Sequence, residues 1–507
     1  MKVRYKSKLL LFPLIFIFFS GCASTIKQTE IEINKKYSPS QLKEDFDFLF
    51  QTFKQVHPDL FLYTPENVVD SILASRRKKL NRPMTSFQFY KFIMPVIAEN
   101  FDGHTFLNFP YKYRKKYLDD GGKIIPFDVR IDDQRLFVRK NYSPDSTLAP
   151  NSEIISINDI RATEILDELR KYKSGRFEAR VNWYVQRMFK RLIWEHYGLG
   201  EHVNIEYISS IDNQDYTKNF SGITVAQYDS LSQRNQNNKR KFHMWTFKIL
   251  PDDQIAIIDL NSFGRERDLG TFKKFLDTTF TVMQQEELQD LIIDVRGNGG
   301  GESLLGEALI DYLALKPWLL FSKADFRISE QIKADMIPWL LRWIPIKTYL
   351  KLFSFMYTSM GIEKIEFDSV RSDLLHASMK PKELEDHPLR YNGNVYVLID
   401  NGSFSMSVMF AAFMKDYSRA ILIGEETGQS ANHFGGNYFF YLPNTHLRAS
   451  VPSGKSYRPG GQDTDSGVLP DYEVKQTPED REIGIDTVME FTIQLIRKNT
   501  NDNAKAD

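Results

Sequence analysis

The sequence predicts an α/β protein of several domains, and three observations carry that reading. Residues 38–118 repeat their apolar positions at helical spacing, and residues 122–215 break into short, β-rich pieces. From residue 242 to 490, strands of the buried type alternate with helices. At 507 residues, 42% hydrophobic and 13% aromatic, the chain can fill two or three domains. Lys plus Arg equals Asp plus Glu, at 66 each, which removes the electrostatic case for a nucleic-acid partner.

The first segment is an address rather than a domain. Lys2, Arg4, Lys6 and Lys8 precede an apolar run over Leu9–Phe19, which ends at Ser20-Gly21-Cys22. A basic start, a short apolar stretch and small residues before the cut describe a secretory signal over residues 1–21. The run is too short to span a bilayer as an ordinary helix, which needs about 20 apolar residues. The small pair directly before a cysteine resembles a bacterial lipobox. That resemblance implies lipidation at Cys22, a tether over 22–37, and attachment to the cell envelope. Ala23 and Ser24 follow Cys22, which points to the outer membrane, facing the periplasm or the cell surface. Cys22 is the only cysteine, so the chain can form no internal disulfide and no CxxC metal site.

Ser40 is read as the cap of a first helix, in which Leu42, Phe46, Leu49, Phe50 and Phe53 share one face. Two more helices are expected over about 68–80 and 86–100. Short strands at 124–131 and 135–139 flank a polar turn, and the strand 152–157 is followed by a helix over 162–169. This pattern resembles a PDZ-like module. Residues 216–241 are polar, with no evident core. Strands at 255–260, 291–295, 395–399 and 420–423 interleave with helices at 269–284, 303–313 and 406–414. Such an order argues for a largely parallel sheet. Residues 325–390 interrupt it as a helical insertion. The insertion holds Trp339, Trp343, Phe353, Phe355, Met356 and Tyr357, expected to be core or lid, with a membrane- or substrate-facing surface as the other reading.

Two loops follow buried strands, where α/β sheets place ligands. The first is Asp294-Val295-Arg296-Gly297-Asn298-Gly299-Gly300-Gly301. Glu302 breaks the dinucleotide pattern, and the Gly-Lys-Ser/Thr of a phosphate loop is missing. A nucleotide- or sugar-binding reading is therefore weak. Glycines instead let backbone N–H groups approach a reacting centre. The second loop is Asp400-Asn401-Gly402-Ser403-Phe404-Ser405-Met406-Ser407, whose serines could be simple helix caps.

Together the loops resemble the signatures of S41 peptidases, the C-terminal processing and tricorn-core class. Arg419–Gly428 resembles the segment that follows the nucleophile there, and Gly467–Asp471 resembles the closing motif. His57-Pro58-Asp59-Leu60 and Asp102-Gly103-His104-Thr105 resemble the tricorn-like branch. The resemblance implies a ClpP/crotonase-like core and a serine peptidase acting on peptides or unfolded chains. It places the nucleophile at Ser405, with oxyanion donors from Met406 and from Gly299 or Gly300. The processing branch uses a lysine near position 430, where this chain has Gln429-Ser430-Ala431, and Lys455 lies too far along. The tricorn-like branch uses a histidine, matched by His104. Two positions depart from that branch. Gly103 replaces a serine, and the acid near the closing motif falls to Asp463 or Asp465. Asp102 is read as structural and His433 as a loop histidine. No H-E-x-x-H or other ligand spacing is present, so no metal or cofactor is expected. Oligomeric state leaves no mark in the sequence. The alternative reading is a non-catalytic peptide-binding homologue that kept the fold.

Overall fold

A computed structural model describes residues 31–503, apart from 133, 235–242, 355–360, 463–464, 478–479 and 481–482. The signal segment, Cys22, Phe355, Met356, Tyr357 and Asp463 lie outside the described residues. Among the described residues no helix is long and apolar enough to cross a membrane.

The C-terminal half is built on a six-stranded sheet. Its order is Trp245–Leu250, Ile255–Leu260, Asp290–Asp294, Asn394–Ile399, Ile421–Gly424 and Tyr472–Glu473. The first pair is antiparallel and the rest are parallel. Period-two alternation assigns the faces. Ala256, Ile258 and Leu260 pack with the helices Leu269–Gln285, Ser303–Leu313 and Met406–Asp416. Ile255 and Ile257 face the other way, onto Val488, Ile493 and Ile496 of the C-terminal helix. Both faces are covered, which is why these strands read as unbroken apolar runs.

A second, antiparallel sheet joins the halves of the chain. Its order is Ile362–Phe367, Leu374–Met379, Lys323–Arg327, Arg448–Tyr457 and His433–Tyr441. The two-residue strand Phe106–Leu107 pairs with Ala449 and Ser450 of the Arg448–Tyr457 strand. The insertion therefore contributes strands as well as short helices. It is not wholly helical, because its 362–367 and 374–379 segments extend this sheet at its edge.

The N-terminal helices are Pro39–Val56, Glu66–Lys78 and Ser86–Asn100. Ser38, not Ser40, caps the first, forming a reciprocal box with Gln41. The middle module is a sheet ordered Phe127–Asp132, Arg135–Asn141, Glu153–Ile157, His202–Ile208 and Asp215–Ser221. Its helix Glu178–Tyr197 has no counterpart in the sequence reading, although Val181, Val185, Phe189, Leu192 and Ile193 bury one face. The polar stretch after residue 216, read as having no evident core, continues the last strand of that sheet and carries a helix, Val225–Arg234.

Candidate active site

Parallel pairing of Asp290–Asp294 with Asn394–Ile399, in register at Asp294 and Leu398, delivers both loops to one sheet edge. Side chains then lock them together. Asp400 Oδ1 accepts the Gly297 N–H at 2.7 Å. The buried Asn298 donates through Nδ2 to Leu260 O at 2.7 Å, and its own carbonyl accepts the Phe404 N–H at 3.0 Å. The three serines of the second loop separate at this point. Ser403 Oγ donates to Val295 O at 2.8 Å, and Ser407 Oγ donates to Asn298 O at 3.0 Å. These two are clamps. The Ser405 hydroxyl has no hydrogen bond among the described residues. Ser405 stands at φ 56° and ψ −119°, directly before the helix Met406–Asp416. A non-glycine residue held there stores strain of order 1–3 kcal/mol, of the kind that collects at functional turns.

The glycine loop lies against this turn. A Cβ on Gly300, at φ 96°, would sit 2.8 Å from Ser405 Cβ and 2.9 Å from Met406 N, so only glycine fits. The Gly300 N–H, however, donates to Asn298 Oδ1 at 2.8 Å. That leaves the Gly299 and Met406 N–H groups, neither of which has an acceptor among the described residues. Gly299 faces open space. Of the two glycines expected as oxyanion donors, Gly299 is the one with a free N–H.

His104 arrives from the other end of the chain because Phe106–Leu107 is stitched into the second sheet. Its turn is held by Asp102, which accepts the His104 N–H at 2.7 Å, the Thr105 hydroxyl at 2.5 Å and His57 Nε2 at 3.0 Å. Burial pushes the Asp102 carboxyl up, but the His57 hydrogen bond and charge, His104 and Thr105 outweigh it and hold the group at about 2. Phe404 lies on the His104 ring with centroids 4.8 Å apart. A Cβ on Gly103 would come within 3.1 Å of the Phe404 ring, so the serine expected by resemblance would require that ring to shift by a few tenths of an ångström. Arg180 and Lys173 cover the Phe404 ring at 4.7 and 5.4 Å. Burial, with Asp102 opposing and His433, Lys173 and Arg180 adding to it, pushes His104 down to about 3. His104 is therefore a neutral imidazole near pH 7. Lys173 is a buried amine lowered to about 8 by desolvation and Arg180, and it donates to Gly103 O at 3.2 Å.

Gln429 joins the two halves of the site. The Ser405 N–H donates to its Oε1 at 2.9 Å, which fixes the orientation of the amide. Its Nε2 then faces His104 Nδ1 at 3.1 Å as the donor. The histidine proton accordingly sits on Nε2, and the lone pair on Nδ1 is capped by Gln429. No hydrogen bond joins Ser405 Oγ to His104 among the described residues. His433 stacks 6.2 Å from His104, buried, with an Nδ1 that lacks a partner. It belongs to the site rather than to a loop. Asp465 is exposed and pairs with Arg176 at 3.5 Å, and it makes no hydrogen bond with His104. Arg176 also stacks on Tyr63. A cavity of about 30 Å³, room for roughly one water, remains between Tyr63, Arg176, Phe404, Gln429 and His433.

Gln429→Ala leaves the half-buried Ser405 N–H without its side-chain acceptor and frees the imidazole. It is expected to lower kcat about ten- to hundredfold with KM little changed. Gln429→Glu places a carboxylate against Nδ1 and favours the imidazolium. It should move the acid limb of kcat/KM upward by about one pH unit. Steady-state profiles of the two variants separate positioning from bulk stability, which would leave the limb unmoved.

Comparison with known proteins agrees with this architecture. Residues 254–474 match the family model of Peptidase family S41. The crystal structure of mature CPAF superposes with a TM-score of 0.59 at 16% identity, covering 91% of this chain and 98% of that one. A mutant of CPAF gives 0.64 at 15% identity, covering 91% and 98%. Mature CPAF complexed with lactacystin gives 0.58 at 14% identity, covering 92% and 99%. No curated protein matches. Residues 254–474 thus carry an S41-type peptidase core on a mixed α/β, multi-domain body, and the family match and the solved folds together support a serine-type peptidase.

Proposed function

We propose that the protein is an exported, lipid-anchored peptidase that cleaves peptide bonds with Ser405 as nucleophile and His104 as base. The observation that carries the proposal is the Ser405 turn. Its hydroxyl is unbonded among the described residues, its φ is positive, Gly300 lies against it, and Gln429 ties its backbone to the His104 ring.

A serine hydroxyl needs a base to become a nucleophile. Withdrawal of the Gln429 amide by entering substrate exposes the His104 lone pair. Nδ1 takes the proton while Oγ bonds the scissile carbonyl carbon. The negative charge that develops on the carbonyl oxygen is met by the N–H groups of Met406 and Gly299, reinforced by the positive end of the helix behind Met406. The protonated imidazole gives its proton to the departing amine, leaving an acyl ester on Ser405. Water, deprotonated by His104, then releases the acid and restores the serine. The buried, neutral state of His104 supports the base role, since the lone pair is present at physiological pH. An oxyanion beside the ring raises its basicity at the moment the proton is needed.

The lipobox resemblance ending at Cys22 supports export and anchoring in the envelope, at the outer membrane. The substrate is a peptide or unfolded chain, as the S41 resemblance implies. Peptide mapping of protein taken from the host membrane tests both parts at once. The expected map carries an acylated Cys22 as its first residue and, after fluorophosphonate treatment, one adduct on Ser405. An adduct on a different serine, or an unmodified Cys22, rejects the corresponding part.

A further inference from the structure

The insertion is a folded element with two unlike faces. Ile337, Tyr349 and Leu350 point inward and pack with Ile328, Ile362, Leu375 and Ala377. The element is tied to the body by Arg327 Nη1, which donates to His57 O at 3.1 Å. Its outer face carries Trp339 and Trp343, 73% and 79% exposed, with Leu340 and Leu352 both at 61%. The chain has six tryptophans, and the other four are buried or half-buried. The inner face already supplies this element's core, so folding gives no reason to hold these two indoles in water.

Charge narrows the choice of partner. Between Asp335 and Glu363 the chain has no acidic residue, while Arg342, Lys347 and Lys351 are all exposed beside the tryptophans. Indoles among aliphatic side chains, rimmed by cations with only the half-buried Asp335 near Arg342 to offset them, match the boundary between lipid headgroups and acyl chains. The cations add attraction for anionic headgroups that salt weakens.

We propose that this face docks on an anionic phospholipid bilayer, seating Trp339 and Trp343 in its interface and orienting the peptidase on the membrane. The proposal extends the reading of an envelope-anchored enzyme but concerns a different part of the chain. It is therefore tested without the anchor. The chain from residue 23 onward keeps every residue of the described hydrophobic clusters. It should float with phosphatidylglycerol vesicles at low salt and not with phosphatidylcholine vesicles. Trp339→Ser with Trp343→Ser should reduce the bound fraction about tenfold or more, with an unchanged melting temperature and unchanged labelling of Ser405. No flotation, or flotation indifferent to the double substitution, overturns the proposal. Self-association in sedimentation that the same double substitution abolishes also overturns it, because a second copy would then own the face. Failure of Cys22 acylation leaves all these outcomes readable.

Discussion

Ser405→Ala is expected to lower kcat/KM by about 10⁴- to 10⁶-fold and to abolish fluorophosphonate labelling, with the fold intact. The alanine keeps Cβ, so the strained φ and the Gly300 contact are unchanged. Ser403 and Ser407 cannot substitute, because their hydroxyls donate to Val295 O and Asn298 O inside the clamp between the loops. His104→Ala should cost a comparable factor, because an unassisted hydroxyl is a poor nucleophile. The informative measurement is the double variant. Two residues that act in one proton transfer are not additive, so the pair should be no slower than the worse single variant. Independent losses that multiply would mean that His104 serves the fold rather than the reaction. Residual hydrolysis in Ser405→Ala is expected to remain above the uncatalysed rate if the Gly299 and Met406 N–H groups serve as the proposed oxyanion donors.

Much of this was legible before any coordinates, for physical reasons that differ by element. The strands at 255–260, 291–295 and 395–399 are buried on both faces, so hydrophobicity alone marks them. The two loops declare themselves because close backbone approach needs glycine and a helix start favours serine. The choice of Ser405 and His104 came from motif resemblance, and the geometry around them could not have been derived from spacing. Gln429 illustrates the limit. In sequence it is the residue standing where a lysine was looked for. Its reach to both Ser405 and His104 depends on strand pairing across more than 300 residues. Capture of the Gly300 N–H by the Asn298 side chain is likewise a tertiary event, invisible in a run of glycines. The helix Glu178–Tyr197 did leave a signal, since its apolar residues recur at helical spacing. Interspersed Arg, Trp and Tyr diluted that signal. The strand at 362–367 is the sheet's edge and 374–379 lies next to it, where one-sided burial writes only a faint alternation.

The second large effect is acid destabilisation centred on the site itself. His104 and His433 are both buried, and burial holds them at about 3 and about 4 in the folded protein. In the unfolded chain each returns to about 6.5. Between those values the unfolded state binds protons that the folded state refuses, so stability falls as pH drops below about 6.5. From pH 7.5 to 5 each histidine contributes a loss of roughly 2 kcal/mol, and the pair about 4 kcal/mol, a large part of a typical folding free energy. Asp102 adds a later stage. Its folded value of about 2 lies below the 3.8 of an ordinary aspartate, so its contribution persists above about pH 4 and disappears as pH falls towards 2. Glu195 and Glu307, raised to about 7 mainly by burial, act in the opposite sense over the same range, so urea denaturation across pH 5–7.5 reads the histidine share as the difference between the wild type and a histidine variant. His433→Phe isolates one share. The buried Nδ1 of His433 has no partner, so a phenyl ring removes an unmet polar atom. Relative to the wild type, the change in stability on going from pH 7.5 to 5 should be more favourable in the variant by roughly 2 kcal/mol. An unchanged pH slope in that variant would place the acid sensitivity elsewhere and remove His433 from the site's electrostatics.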